Sequence, residues 1–175
     1  MNQQPPFTPA EQPHAMVDPE QLRQIMRHWT TGVVVVTSLA DGIIHGMTVN
    51  SFTSISLDPP VVHVSLANTA RTNAMVKRSG VFGITLLGEG QKDIADTFAG
   101  RTADEGDRFS GLETFGLVTG SPLIKSGLAS LDCRVRDTLE VGSTTVFFGD
   151  VVATMEQSHH WPLVYFNRLY RELQK

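Results

Sequence analysis

The chain has 175 residues, a length that suits one domain with a substantial core. Its formal net charge of -4 and pI of about 5.8 argue against a basic surface that binds nucleic acid. A single cysteine, Cys133, excludes an intramolecular disulfide framework, and no apolar run reaches the length of a membrane span, so a cytoplasmic protein is expected.

The N-terminal residues 1–17 are rich in proline and glutamine, lack a secretory signal pattern and are predicted to form a flexible tail. A helix is predicted to follow, because Asp18 can cap it and Pro19 suits its first turn. Gly32 is expected to end this helix. Its apolar face is formed by Leu22, Ile25, Met26 and Trp29.

Short β-branched runs predict that the remaining chain is mainly β with a few helices. Residues 33–38 (VVVVTS) form a buried strand in this prediction, and residues 40–42 turn the chain into a partner strand at residues 43–49. Another core strand is predicted at residues 61–66. His63 within it is expected to be a satisfied core or interface histidine.

Residues 46–60, GMTVNSFTSISLDPP, alternate apolar side chains with hydroxyl and amide side chains. This alternation predicts an extended segment with one face against a core. The polar face either lines a polar ligand or faces solvent, and the pattern alone leaves both interpretations open.

Residues 67–80, ANTARTNAMVKRSG, predict a short helix that starts near Thr72 and ends at Gly80. The free backbone N–H groups at its N-terminus, with Asn68 and Arg71, can hold a phosphate. A plain threonine cap beside a solvated arginine explains the same residues equally well.

A strand is predicted at residues 81–87 and a helix at residues 91–99, closed by Gly100. The Gly88-Glu89-Gly90 link between them lacks the third glycine of a dinucleotide-binding fingerprint, since Asp93 occupies that place. The dinucleotide interpretation is therefore rejected.

Residues 101–120 are irregular and charged, and loops of this length within a domain are often functional. Arg101 and Arg108 can reach an anion, and Phe109 can cover a ring. An exposed surface loop with ordinary ion pairs is the alternative.

Residues 128–137 predict a half-exposed antiparallel strand, with Cys133 on its core side and Asp132 on its solvent side. Gly142-Ser143 turns the chain into a long strand at residues 144–155. Residues 163–166 form the last predicted strand, and the tail at 168–175 is expected to pack back on the body. The adjacent His159 and His160 point to opposite faces and have no evident third ligand, so no metal site is expected.

The familiar catalytic motifs are missing from the sequence. It has no nucleophile elbow, no phosphate-binding P-loop and no zinc-protease helix. No residue stands out as a nucleophile or a general base. This favours a protein in which a bound cofactor carries the chemistry.

Residues 46–60, preceded by TTGVVVVTS at 30–38, resemble the flavin reductase-like family, which has the FMN-binding split β-barrel. The resemblance runs from about residue 20 to the end and implies one split-barrel domain over residues 18–175. Further blocks follow in order: SGVFGITLL (79–87), DIADTFAG (93–100), DRF (107–109), LDCRV (131–135), FFGDV (147–151) and PLVYF (162–166).

The resemblance implies a six-stranded antiparallel Greek-key barrel with added helices, assembled as a homodimer with FMN or FAD at the dimer edge. It implies an NAD(P)H:flavin oxidoreductase that uses NADH or NADPH as co-substrate and supplies reduced flavin to a separate flavin-dependent monooxygenase. The hydride passes directly to the flavin, so no protein acid or base is required and no catalytic residue is assigned.

The resemblance also implies which residues contact the ligands. The flavin ring and ribityl chain are assigned to Thr31, Thr48, Asn50 and Ser51, and the next flavin-lining segment is Ser54, Ile55 and Ser56. The phosphate side is assigned to Ala67, Asn68 and Thr72. Arg101 and residues 107–109, including Phe109, match the loop near the phosphate or adenine end. The nicotinamide side is assigned to Tyr165, Arg168 and Tyr170.

One departure from the family concerns the nicotinamide. The family commonly has Gly-Asp-His-Thr before the long strand, and its histidine approaches the nicotinamide. This sequence has Gly142-Ser143-Thr144-Thr145. The loss of one polar contact weakens affinity about three- to tenfold, and Thr144 on the nicotinamide side can still form a hydrogen bond.

Two rival functions stay open at the level of sequence. One is a flavin-dependent oxidase or monooxygenase of the same fold that does not use NAD(P)H efficiently, with Phe148, Trp161 and Phe166 around its substrate. The other is a non-enzymatic flavin-binding module whose dimer face is the functional surface. The choices between FMN and FAD, and between bound and exchanging flavin, also stay open.

Overall fold

A computed structural model describes residues 16–102 and 106–173 of the chain. The tail predicted at residues 1–17 lies outside this part except for Met16 and Val17, which are both exposed. The helices are α1 (Pro19–Met26), α2 (Arg71–Ser79) and α3 (Lys92–Phe98). The strands are β1 (Thr31–Gly32), β2 (Val34–Ala40), β3 (Ile43–Val49), β4 (Thr53–Leu57), β5 (Pro60–Ala67), β6 (Val81–Leu86), β7 (Thr114–Phe115), β8 (Leu123–Ile124), β9 (Ala129–Val141), β10 (Thr144–Glu156), β11 (Val164–Phe166) and β12 (Leu169–Arg171).

The main sheet has seven antiparallel strands in the order β3-β2-β6-β9-β10-β5-β4. The prediction of a mainly β fold with a few helices is confirmed, although this sheet has one strand more than the six expected. The predicted hairpin turn is confirmed as well. Asp41 and Gly42 have φ angles of 51° and 74°, which give the two-residue turn that matches the twist of paired strands.

Strand β2 is buried on both faces, as its continuous β-branched run predicts. One face contributes Val34 and Val36 to a core between the strands of the main sheet and α2. Val33, which precedes β2, and Val35 on its other face pack against α3 and the loop that follows it. Helices α2 and α3 therefore lie against opposite faces of the same strand.

Helix α1 begins as predicted but ends early. The Asp18 side chain accepts a hydrogen bond of 3.1 Å from the backbone N–H of Glu20. The helix ends at Met26 rather than near Gly32, because Thr31 and Gly32 are drawn into strand β1, which pairs with β11. The apolar face is largely exposed in the single chain, since Leu22, Ile25, Met26 and Trp29 are all more than half exposed.

Helix α2 starts at Arg71, and its cap residue, Ala70, makes no side-chain capping bond. The helix therefore starts near Thr72 as predicted, but the alternative of a threonine N-cap is wrong. Gly80 does end the helix as predicted, with a φ of 69° in the left-handed region that favours glycine.

Strand β9 differs from its prediction on one face. Asp132, expected to face solvent, is fully buried and accepts hydrogen bonds from the backbone N–H and the hydroxyl of Thr119. The sequence pattern fails here because a distant loop covers a face that the strand alone leaves open. Cys133 is buried as predicted, and its burial raises the pKa of the thiol to about 12.

The C-terminal segment packs back on the body as β12. It pairs with β11, which pairs in turn with β1, so the three strands form a small second sheet. This sheet brings β1, which precedes β2 in the chain, and the late strands β11 and β12 next to the end of β3.

Candidate functional site

Five of the residues assigned from sequence lie around one cavity of about 140 Å³, which we call the tyrosine cavity. They come from the end of β3, from the segment after α3 and from the β11–β12 hairpin. These residues are Thr48, Asn50, Arg101, Tyr165 and Tyr170. Val33, Val49 and Ala99 complete its lining with apolar surface. The cavity therefore combines an apolar floor with a few polar groups.

The aromatic wall of the tyrosine cavity is held by the small sheet. Tyr165 pairs with Thr31 across β11 and β1, and with Tyr170 across β11 and β12. The two tyrosine ring centroids are 5.5 Å apart at an interplanar angle of 58°. Cross-strand aromatic pairs of this kind stabilise a short hairpin.

The cationic side chain of Arg101 lies at the aromatic wall of the tyrosine cavity. The guanidinium carbon of Arg101 is 5.5 Å from the ring centroid of Tyr170, and Arg101 Nη1 is 3.1 Å from the Asp96 carboxylate. The neighbouring Tyr165 hydroxyl and the Asp96 carboxylate raise the pKa of Arg101 above its ordinary value. Its charge is thus held at a fixed place beside the cavity.

Two hydroxyls near the cavity are engaged with backbone groups. Thr48 donates a hydrogen bond of 2.7 Å to the carbonyl of Ala95 and so ties β3 to α3. Ser51 donates to the carbonyl of Ser65 at 2.8 Å and accepts from its N–H at 3.2 Å. Asn50 between them is exposed, and its side chain makes no hydrogen bond within residues 16–102 and 106–173.

Besides the Asn50 amide, the hydroxyl of Thr31 is a second polar group without a partner among the described residues. Its hydroxyl oxygen is buried and has no hydrogen-bond partner in the described part of the chain. A buried hydroxyl without a partner costs free energy, so this position favours a ligand that offers one. Arg168 is exposed at the β11–β12 turn and does not line the cavity.

A second, larger cavity of about 830 Å³, which we call the arginine cavity, lies beside the N-terminus of α2. Arg71, His45 and Arg108 contribute to its lining. Arg71 is exposed, and the described residues provide it with no ion pair. The start of a helix and a cation together attract anions.

His45 was not recognised from the sequence. Its Nδ1 lies 2.8 Å from the hydroxyl of Thr72, which is fully buried and so has no direct access to a ligand. Burial, with the charges of Arg108 and Arg71, lowers the pKa of His45 to about 4. The only sequence signal was its place in the alternating strand, on the face that turns towards α2.

Two loop residues that line the arginine cavity also have structural contacts, and their predicted ligand contacts stay predictions. Arg108 Nη1 donates hydrogen bonds to the carbonyls of Gly46 at 3.0 Å and Phe98 at 3.1 Å, which hold the guanidinium at the wall of the arginine cavity. Phe109 is only 7% exposed and packs edge-on against Phe98, with ring centroids 5.0 Å apart. It contributes to the wall of the arginine cavity from within the core.

The remaining assigned residues belong to β4, β5 and the segment after β5, at the opposite end of the strand order from β3. Ala67 pairs with Thr144 across β5 and β10, and the Asn68 N–H donates to the Ser143 carbonyl at 2.8 Å. Ser54, Ile55 and Ser56 belong to the edge strand β4, which has an irregular register between Ser54 and Ser56. Within one chain, β4 contributes nothing to the tyrosine cavity.

His63 is not satisfied within the single chain, contrary to its interpretation as a satisfied core histidine. Its Nδ1 is buried and has no partner among the described residues. Burial lowers the pKa of His63, and its ring centroid is 6.2 Å from that of Phe148 on the outward face of β10. The interpretation as an interface histidine stays open.

Within residues 16–102 and 106–173, no three His, Cys, Asp or Glu residues are grouped as metal ligands would be. None of the helices in this part is long and apolar enough to cross a membrane.

Comparison with known proteins places these features in a family. Residues 26–174 match the family model described as "Flavin reductase like domain". The chain is 38% identical over 157 residues to the NADH-dependent flavin reductase StyB of Pseudomonas fluorescens, covering 88% of this chain and 89% of that protein. It is 31% identical over 154 residues to HsaB, the reductase subunit of a flavin-dependent monooxygenase of Rhodococcus jostii, covering 88% and 77%.

A solved structure agrees with these sequence matches. The NADH:FAD oxidoreductase SgcE6 of Streptomyces globisporus C-1027 superimposes with a TM-score of 0.83 and 30% identity, covering 94% of this chain and all of that one.

The buried state of His45 predicts a dependence of stability on pH. The pKa of His45 is about 4 in the folded chain and has its ordinary value of 6.5 in the unfolded chain. Between these two pH values the unfolded state therefore binds more protons. Folding stability therefore falls as the pH is lowered from 6.5 to 4. Because His45 is only half-buried, water screens part of this effect, and we expect about 1 kcal/mol over this window.

Urea unfolding of the wild type and His45→Gln across this pH range measures the effect. The free energy of unfolding of the wild type, minus that of His45→Gln, should decrease as the pH falls from 6.5 to 4. The exposed His160→Gln serves as the control. A constant difference between wild type and His45→Gln would contradict the prediction.

Proposed function

This chain belongs to the flavin reductase-like family, and we propose that it is an NADH-dependent flavin reductase that delivers reduced flavin to a separate monooxygenase. The observation that carries the proposal is the tyrosine cavity, where groups far apart in sequence converge on Asn50 in the 46–60 stretch. The names of StyB and SgcE6, which specify NADH, support the choice of donor. The name of HsaB supports the monooxygenase partner.

The residues of the tyrosine cavity suit a flavin ring. A flavin ring is planar, with one apolar end and one end rich in hydrogen-bonding groups. Val33 and Val49 offer apolar surface and Asn50 offers an unused amide. Thr31 does not line the cavity, but it pairs with Tyr165 of its wall and its buried hydroxyl has no partner among the described residues. An apolar pocket with a few placed polar groups is the usual form of a cofactor site.

Catalysis here consists of positioning and electrostatic stabilisation. A bound flavin supplies the hydride acceptor, so the protein needs no acid or base of its own. Asn50 and the tyrosine pair would orient a bound ring and exclude water, and Arg101 would place a positive charge beside it. The nicotinamide approaches from the side of Thr144, and Ser143 and Thr144 stand where the family commonly has aspartate and histidine.

The phosphate end of the flavin lies towards Arg71 in this proposal. The arginine cavity borders the segment after α3 on one side, and the tyrosine cavity borders it on the other. At about 830 Å³ the arginine cavity exceeds the space that one phosphate fills, so it has room for the phosphate end of either FMN or FAD. Arg71 supplies positive charge there, whereas His45, with its lowered pKa, is neutral at pH 7.

The working form in this proposal is a homodimer of split barrels. The edge strands β3 and β4 are joined by only three residues, which supports closure of the sheet between them. At about 140 Å³ the tyrosine cavity is smaller than ordinary ligand pockets, which supports a second copy that completes it. Leu139 and Val141 at the end of β9 are 54% and 58% exposed, and His63 has a buried Nδ1 without a partner among the described residues. We propose that these residues belong to the contact with the second copy.

Replacement of Asn50 by leucine tests the ring site. The variant loses the free amide and fills the cavity mouth, so we expect flavin affinity to fall at least tenfold while the fold is kept. Flavin fluorescence quenching measures the dissociation constant, and Thr154→Leu, on an exposed part of β10, is the control. Unchanged flavin affinity in Asn50→Leu would exclude the assigned site.

Replacement of Arg71 by glutamine tests the phosphate end. We expect the affinities for FAD and FMN both to fall about tenfold, because the phosphate monoester of FMN and the pyrophosphate of FAD each carry close to two negative charges at pH 7. The two dissociation constants are compared by the same fluorescence titration, with Arg134→Gln on the exposed part of β9 as the charge-matched control. An equal loss for Arg134→Gln would show a general charge effect and not a site.

Sedimentation equilibrium of the wild type tests the dimer, and Leu139→Glu tests the face. We expect the wild type to be a dimer. The Leu139→Glu variant should dissociate and bind flavin more weakly, because it places a charge in an apolar contact. Leu22→Glu on the exposed face of α1 is the matched control. A monomeric wild type with full flavin affinity would contradict the proposal.

A further inference from the structure

Asn68 binds the tip of the β9–β10 hairpin through three groups. Its backbone N–H donates to the Ser143 carbonyl at 2.8 Å. Its side-chain amide nitrogen lies 3.5 Å from the Gly142 carbonyl, and its side-chain oxygen accepts a bond of 2.6 Å from the Thr145 hydroxyl. Both ends of the amide are therefore directed at residues 142–145.

The tip would be loosely held without these bonds. Gly142 and Ser143 form a two-residue turn between paired Val141 and Thr144, and residues 138–143 are all exposed. Exposed hairpin ends with few buried contacts open easily. Thr145 is fully buried, so its hydroxyl needs an acceptor, and Asn68 supplies one.

Asn68 is itself anchored on its other side. It begins the short connection between β5 and α2, where the Ala70 N–H donates to the Ala67 carbonyl at 2.9 Å. Asn73 of α2 is 1% exposed and donates from its side chain to the Leu66 carbonyl at 3.1 Å. The end of β5, the start of α2 and the hairpin tip therefore form one connected unit.

We infer that Asn68 is a positioning residue that fixes the tip at residues 142–145 for the nicotinamide substrate. Its amide oxygen accepts from the buried Thr145 hydroxyl and its amide nitrogen faces the Gly142 carbonyl, so the orientation of the side chain is set by the hairpin. The tip carries Thr144, at which the family's histidine is replaced. This inference rests on the proposed function, because it takes the nicotinamide to bind there.

The test compares Asn68→Ala, Asn68→Asp and Thr145→Val, with Thr154→Val on an exposed part of β10 as the control. Asn68→Ala is expected to raise the KM for NADH about three- to tenfold, the ratio that corresponds to one lost hydrogen bond, with little change in kcat. The flavin dissociation constant should stay within about twofold of the wild type, because no flavin contact is removed.

Asn68→Asp keeps the acceptor for Thr145 and should restore part of the KM. Thr145→Val combined with Asn68→Ala should add little to Asn68→Ala alone, since both variants break the same bond. Hydrogen exchange of the backbone amides at residues 141–146 gives a readout independent of turnover. It should be faster in Asn68→Ala than in the wild type or the control.

Different results overturn different claims. A loss of flavin affinity in proportion to the rise in KM would make Asn68 a flavin ligand and overturn the inference. Unchanged hydrogen exchange, or an unchanged KM in Asn68→Ala, would also overturn it while leaving the proposed function intact. A wild type that binds flavin but oxidises neither NADH nor NADPH would overturn the proposed function together with the nicotinamide role of Asn68.

Discussion

The paired hydrogen bonds between Ser51 and the backbone of Ser65 are the constraint on which the candidate site depends. They tie the short connection between the edge strands β3 and β4 to β5. Thr48 ties the preceding end of β3 to α3 at the Ala95 carbonyl. Asn50, between these two anchors, is therefore held at the mouth of the tyrosine cavity with its own amide unused. A flexible connection would leave this amide without a defined position.

The positive charge of the site is divided between the two cavities, with Arg101 at the tyrosine cavity and Arg71 and Arg108 at the arginine cavity. Arg101 is held against Tyr170 and Asp96, whereas Arg71 is exposed at the start of α2. The net charge of the chain is -4, so this positive charge is a local feature and not a property of the whole surface. Such an arrangement suits a small anionic ligand whose ring and phosphate ends need different surroundings.

Much of the fold follows from local sequence rules. The β-branched run before Ser38, the turn at Asp41 and Gly42, and the helix ends at Asp18 and Gly80 were predicted from short patterns and are confirmed. Local rules failed at Asp132, where a distant loop covers the strand. They failed again at α1, whose end is set by the pairing of β1 with β11.

The site was less accessible to sequence reasoning than the fold. Residue spacing alone does not predict the contact between Arg101 and Tyr170. This contact depends on the β11–β12 hairpin, which is held in place because β11 pairs with β1. These residues were assigned through family resemblance. The partner of His45, the backbone role of Arg108 and the hairpin contacts of Asn68 were missed, because they depend on side-chain geometry that no local pattern encodes.

Anaerobic mixing of the purified protein with NADH and free FAD tests the central claim most directly. The near-ultraviolet absorbance of NADH and the blue absorbance of the flavin are followed together, with FMN and NADPH as the alternative substrates. We expect both absorbances to fall together, one NADH consumed for each flavin reduced, at a rate that depends on the protein. Tight flavin binding with no loss of NADH or NADPH absorbance would contradict a flavin reductase.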